Sequence, residues 1–296
     1  MSKGHHHYNI DSIDKVLILS LGINLLLSLV QVIAGLISGS MALIADAFHN
    51  LSDVFSFAIV LGARIIGKKP PDIFKSFGYK RIEIIAALIN LINIILISVF
   101  LILESILRYL EPKEIDGNII VYTSIFAIGI NILTAILVYA VTHKSLNIKA
   151  AFLHNISDAL SSVGVLLSGV IILKYQFLEA DLIVTIIIAI YTGWIALREL
   201  PKITHILAEG TPKGLKIDDL LRSIKSLEGV IDLHHLHVWQ IDEHKNALEA
   251  HIVIEDLHEM ENIKGKIKKE LRDNYNISHS TLEFEKNNNS TNLENC

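Results

Sequence analysis

Six apolar runs occupy the first two thirds of the chain: Val16 to Ile37, Met41 to Ile66, Ile84 to Leu107, Ile119 to Val141, Ala150 to Leu173 and Leu182 to Leu200. Each is near the roughly 20 residues that a helix needs to cross a hydrocarbon layer of about 30 Å. Only Ser38-Gly39-Ser40 separates the first two runs, so they are predicted to form a tight helical hairpin. After Leu200 the pattern becomes amphipathic. Lys216 to Leu227 predicts a helix, Val230 to Ile241 and Ala247 to Ile254 two strands, Met260 to Tyr275 a lysine-rich helix, and Ser280 to Glu285 a third strand. That order, αββαβ, is a small open-faced α+β domain. The expected division is a polar segment at 1–15, a six-helix membrane domain at 16–205, an α+β domain at 206–286, and an asparagine-rich tail at 287–296. The tail has no periodicity and is expected to be disordered.

Composition agrees with a membrane protein: 51% of residues are hydrophobic, 19% are charged and the mean hydropathy is +0.48. The net charge of −5 carries little information, because the charges are unevenly placed. Arg64, Lys68, Lys69, Lys75, Lys80 and Arg81 crowd between the second and third runs, with Lys144 and Lys149 between the fourth and fifth. The opposite side holds Glu111, Glu114, Asp116, Glu179 and Asp181 against few cations. Since lysine and arginine accumulate on the cytoplasmic side, both termini are expected in the cytoplasm. The lone cysteine, Cys296, excludes a disulfide framework and a cysteine-rich metal site. The start of the chain, with His5, His6 and His7, does not have the form of a signal peptide.

The chemistry concentrates inside two of the runs. His49 and Asp53 lie four residues apart, as do His154 and Asp158, and the second pair follows the first by 105 residues. A spacing of four puts both side chains on one helix face. Two such helices offer two imidazoles and two carboxylates to one ion, a fourfold set that suits Zn²⁺, with Co²⁺, Cd²⁺ or Fe²⁺ as alternatives. Interhelical hydrogen bonding would explain one such pair, but not two identical ones. The offset also aligns Ala45 with Ala150, Ser56 with Ser161 and Val60 with Val165. A three-helix unit used twice in tandem must invert its second copy, as in many secondary transporters with a midplane site. Asp46 shares the face of His49 and Asp53 and is a candidate to support the ligands or line the ion's path. Asn24, Gln31, Asn90, Asn93 and Asn131 read as interhelical hydrogen-bonding groups.

The segments Ser40-Met41-Ala42-Leu43-Ile44-Ala45-Asp46-Ala47 and Phe77-Gly78-Tyr79-Lys80-Arg81-Ile82-Glu83, both His-x-x-x-Asp motifs, and His235-Leu236-His237-Val238-Trp239 together resemble the cation diffusion facilitator family. The likeness covers residues 14–285 and is to the branch that contains bacterial zinc, cadmium and cobalt resistance transporters and animal zinc transporters. It implies a homodimer of six-helix protomers, with a metallochaperone-like cytoplasmic domain, that exports Zn²⁺ against H⁺. It also implies that His49, Asp53, His154 and Asp158 form the transport site. Relatives with aspartate at the position of His49 handle Cd²⁺ more readily, so this variant resembles the zinc-preferring kind. Certain relatives bind a second ion between the second and third helices. Here residues 67–80 hold Asp72 but no histidine, and no such site is expected. The resemblance places cytoplasmic regulatory ligands at His234, His251 and Glu285, with His279 a further candidate. In some animal relatives an N-terminal histidine completes such a site across the dimer, which gives His5 to His7 a possible role.

The reading is a divalent-metal exporter of a bacterial plasma membrane, most readily a Zn²⁺/H⁺ antiporter, with Cd²⁺, Co²⁺ or Fe²⁺ export as the alternative. No nucleic-acid partner is expected. An intramembrane zinc hydrolase would need an open coordination position and a base such as the glutamate of His-Glu-x-x-His, and that motif is absent from the sequence. A sensor that binds metal without moving it is the remaining rival.

Overall fold

A computed structural model describes residues 10–141, 146–242 and 245–286, without the side chains at 10–18, 57, 60, 64, 137–141 and 146–155. His5 to His7, the asparagine-rich tail and the side chain of His154 therefore lie outside the described residues. Six helices are long and apolar enough to cross a membrane. They are α1 (Ile10–Ser38), α2 (Met41–Gly67), α3 (Arg81–Leu110), α4 (Gly117–Val141), α5 (Leu146–Tyr175) and α6 (Glu179–Leu207). Most outrun the apolar segments that predicted them. The 30 residues of α3 span about 45 Å, more than the hydrocarbon requires. The polar ends stay helical because backbone bonding does not stop where hydrophobicity does. Likewise α6 continues through Pro201, whose missing N–H is a probable boundary and not an obligatory one.

The described residues divide into two compact units, one running to Leu61 and resuming over Ile89–Glu199, the other comprising Gly62–Leu88 and the chain from Leu200. The first unit has an apolar exterior, with Leu26, Ile37, Phe100, Ile136 and Trp194 exposed, while Ser28, Gln31, Asp46, Asn131, Thr134 and Asp181 are buried. Polar groups inside and apolar groups outside is the arrangement that lipid demands.

Two devices fix the α1–α2 hairpin. Gly39 has φ +72°, and a Cβ there would meet the Glu114 carbonyl oxygen at 2.6 Å, so the turn requires glycine. Asp181, fully buried on α6, accepts hydrogen bonds from the backbone N–H of Met41 at 2.6 Å and of Ala42 at 3.2 Å, and from the Ser40 hydroxyl. A carboxylate from a distant helix thus caps the start of α2, where unsatisfied N–H groups and the helix dipole both favour an anion.

The second unit contains α7 (Ile217–Lys225), β1 (Val230–Gln240), β2 (Asn246–Ile254), α8 (Met260–Tyr275) and β3 (Ile277–Lys286). This is the αββαβ order, with β3 beginning three residues before its predicted start. The sheet order is β1-β2-β3, with β1 antiparallel and β3 parallel to the central β2. Leu248, Ala250, Ile252 and Ile254 alternate along β2 and pack with Leu220, Ile224, Ile263, Ile267 and Leu271 of the two helices. Because strand side chains alternate faces, the intervening Glu249, His251 and Val253 belong to the other face, which the helices leave open.

Asp181→Ala should destabilise the membrane domain by about 1–2 kcal/mol, the usual effect of deleting a helix cap. Thermal unfolding of the detergent-solubilised protein checks this. Asp181→Asn, which keeps one acceptor oxygen, should recover part of the loss.

Candidate metal centres

The first cluster joins α2 to α5. His49 Nε2 lies 3.4 Å from Asp158 Oδ1 and 3.9 Å from Asp53 Oδ2. Ligand atoms of all three residues fall within 4.8 Å of one another, a spacing that can hold a metal ion. Asp158 is only 1% exposed, whereas His49 and Asp53 are 20% and 32% exposed. The more open pair faces a cavity of about 250 Å³ lined also by Phe48, Ser52, Ile94, Ser98 and Thr192. That volume suits a partly hydrated ion, since one water occupies about 30 Å³ of liquid. His154 belongs to α5, one turn before Asp158, and its side chain is not described.

Asp46 sits one turn before His49, but it is not among the clustered ligands. It is fully buried and accepts hydrogen bonds from the Gln31 amide at 2.6 Å and the Ser162 hydroxyl at 2.8 Å. Gln31 in turn accepts from the Asn50 amide at 3.1 Å. Asp46 therefore ties α1, α2 and α5 together beside the ligands and is not lining the cavity. Gln31 was legible only as a buried amide, because its partners are distant in sequence.

The second cluster lies on the open face of the sheet. His234 and His251 are register partners on β1 and β2. His251 Nδ1 is 2.7 Å from Glu285 Oε1, and His234 Nε2 is 3.6 Å from Glu285 Oε2. All three residues offer ligand atoms within 4.8 Å of one another. The His234 Nδ1 is buried without a hydrogen-bond partner. A mixed nitrogen and oxygen set in this arrangement fits a zinc-type ion.

His279 is not brought to this cluster. It pairs with Ala247 in register, six residues along β3 from Glu285, or about 20 Å at ~3.3 Å per residue. Its ring instead packs edge-on against Phe77, with centroids 5.5 Å apart. His235, by contrast, comes closer than alternation predicts. The β1 register shifts between His234 and His237, His235 takes φ +48°, and its ring centroid lies 4.8 Å from that of His251. In the α2–α3 loop, Asp72 accepts hydrogen bonds from the N–H of Phe74 and Lys75 and from the Tyr79 hydroxyl. The Tyr79 hydroxyl holds the Asp72 carboxyl below its ordinary pKa.

Two sequence profiles cover nearly all of the described chain: the cation efflux transmembrane domain matches residues 17–208, and the cation efflux protein cytoplasmic domain matches 212–287. The chain belongs to the cation diffusion facilitator family. It is a divalent-metal efflux transporter and not an enzyme. The facilitator is 38% identical to the Bacillus subtilis cadmium, cobalt and zinc/H(+)-K(+) antiporter, over 95% of this chain and 92% of that protein. It is 31% identical to the Escherichia coli zinc transporter ZitB, over 96% of this chain and 93% of that protein. The same identity relates it to the Xenopus laevis proton-coupled zinc antiporter SLC30A8, over 86% and 74%.

Asp53→Ala and Asp158→Ala should each reduce divalent-metal uptake into proteoliposomes about a hundredfold while leaving the elution profile of the folded protein unchanged. Each supplies one of the three ligand atoms that lie within 4.8 Å of one another, so its removal costs a bound ion binding geometry and charge balance.

Proposed function

We propose that this facilitator exports Zn²⁺ from the cytoplasm in exchange for H⁺, as a homodimer in a bacterial plasma membrane. The observation that carries the reading is the placement of His49, Asp53 and Asp158 together inside membrane-crossing helices, at the edge of a cavity. His154 is proposed as the fourth ligand. Transport is assigned to residues 16–205 and its regulation to 206–286.

The coupling follows from charge. Zn²⁺ on two carboxylates and two neutral imidazoles sums to zero. Without the ion, the same groups would leave two anions in a low-dielectric setting, at several kcal/mol per buried ion. The site is therefore expected to take up protons before it reorients to the cytoplasm. Imidazole exchanges protons near neutral pH, and metal binding requires its lone pair, so loading the ion releases those protons. The relatives named above as H(+) antiporters support this exchange. The cation-rich loop at 68–80 supports a cytoplasmic placement of that side and of both termini.

On the cytoplasmic sheet, His234, His251 and Glu285 are proposed to bind a regulatory ion that tightens the dimer. His5 to His7 are candidates to complete that ion's shell from the partner protomer.

The test is a pH-sensitive dye trapped in proteoliposomes. Zinc movement should be accompanied by opposite movement of one or two protons per ion, and an imposed pH gradient should drive it. Zinc flux indifferent to that gradient would show the coupling to be wrong. Zinc affinity should weaken as pH falls, because protons and the ion compete for the same imidazole lone pairs. His234→Ala with His251→Ala should abolish metal-promoted dimer tightening, read by analytical ultracentrifugation, and slow transport without stopping it.

A further inference from the structure

The loop between α2 and α3 ends in an apolar tip that the protein leaves uncovered. Ile73 is 93% exposed and Phe74 81% exposed, more than any other large hydrophobic residue described. The tip is held in this position by its own turn. Asp72 Oδ1 accepts from the Phe74 and Lys75 N–H groups, both at 2.8 Å, while its Oδ2 accepts from the Tyr79 hydroxyl at 2.6 Å. Ile73 and Phe74 are therefore presented by a formed turn, not by a stray segment.

The charges around the tip fall into two groups. Lys80 pairs with Asp242 at 3.1 Å and Arg81 with Glu209 at 3.2 Å. Lys68, Lys69 and Lys75 have no carboxylate in ion-pair range among the described residues, and all three are exposed. Asp72, the only carboxylate in 68–80, offsets part of the Lys75 charge, so three exposed ammonium groups against one carboxylate flank two exposed apolar side chains.

The position of the loop says what meets this surface. α2 has 27 residues, about 40 Å of helix, which reaches from one headgroup layer to the other. The loop leaves α2 at Lys68 and enters α3 at Arg81, so its chain begins and ends beside the ends of two membrane-crossing helices. Apolar side chains next to lysines at that depth match the headgroup boundary of an anionic bilayer.

We propose that residues 68–80 form an interfacial anchor: Ile73 and Phe74 insert into the boundary between headgroups and acyl chains, and Lys68, Lys69 and Lys75 engage the phosphates of anionic lipids. The anchor does not depend on which metal is carried. It fixes the last turn of α2 and the first turn of α3 to the membrane surface.

The single cysteine of the chain makes the test direct. In a Cys296→Ser background, Ile73→Cys is labelled with the polarity-sensitive fluorophore NBD, and the full-length protein is reconstituted into phosphatidylcholine vesicles with or without phosphatidylglycerol. The expected result is blue-shifted emission, quenched by lipids carrying a shallow doxyl group, with quenching about twofold stronger when phosphatidylglycerol is present. Replacing Lys68, Lys69 and Lys75 with glutamine should remove that enhancement. A label at Glu228, which is 90% exposed on the cytoplasmic domain, should stay water-like throughout. Emission from position 73 that is water-like and quenched by iodide in every vesicle would overturn the proposal. So would blue-shifted emission insensitive to doxyl lipid, since a second copy of the chain would then be what covers the tip.

Discussion

Everything in the membrane domain depends on how carboxylates are kept in a low-dielectric interior. An ionised group there is stable only with partners that replace water. The facilitator solves this in two different ways. Asp46 and Asp181 are fully enclosed and serve as acceptors for groups of the protein itself: an amide and a hydroxyl in one case, a helix terminus in the other. Both join helices that are far apart in sequence. His49, Asp53 and Asp158 compensate one another across α2 and α5 and stand beside a cavity. Only the second arrangement stands beside a cavity from which an ion could exchange with water.

The six spans were legible because lipid imposes a hydrophobic length, and the αββαβ order because its strands and helices have distinct periods. The His-x-x-x-Asp pairs were legible because a helical spacing of four is local. What the sequence hid was non-local. Asp181 reads as one more acidic residue on a charged flank until the fold carries it 140 positions back to the start of α2. Asp46 shares the ligand face by periodicity, but Gln31 and Ser162 determine its partners, and neither is marked by any motif. Helix ends were placed short because apolar runs stop at the hydrocarbon edge while α3 and α6 continue beyond it.

The cytoplasmic domain shows how sheet register sorts candidates that composition cannot. Seven histidines lie between His234 and His279. Register brings His234 opposite His251 and places Glu283 opposite His251, leaving Glu285 two residues on along the same strand face. His279 shares that parity but sits at the far end of β3, beside Phe77. The bulge after His234 does the opposite for His235. In a regular strand it would face the helices. The extra residue and positive φ turn its ring toward His251 instead, and Leu236 and Val238 resume the core side.

The two clusters also differ in charge, in the sense that their surroundings require. Inside the membrane, two carboxylates against one divalent ion leave no net charge, which is the only composition a low-dielectric site tolerates well. On the sheet, Zn²⁺ with two neutral imidazoles and Glu285 would carry +1. That residue of charge is acceptable at a half-exposed surface, where the solvent screens it. Glu283 reduces it further, with Oε2 at 3.5 Å from His251 Nε2 while remaining 69% exposed. The low-dielectric cluster thus has to balance charge among its own groups, whereas the sheet can leave part of that balance to solvent.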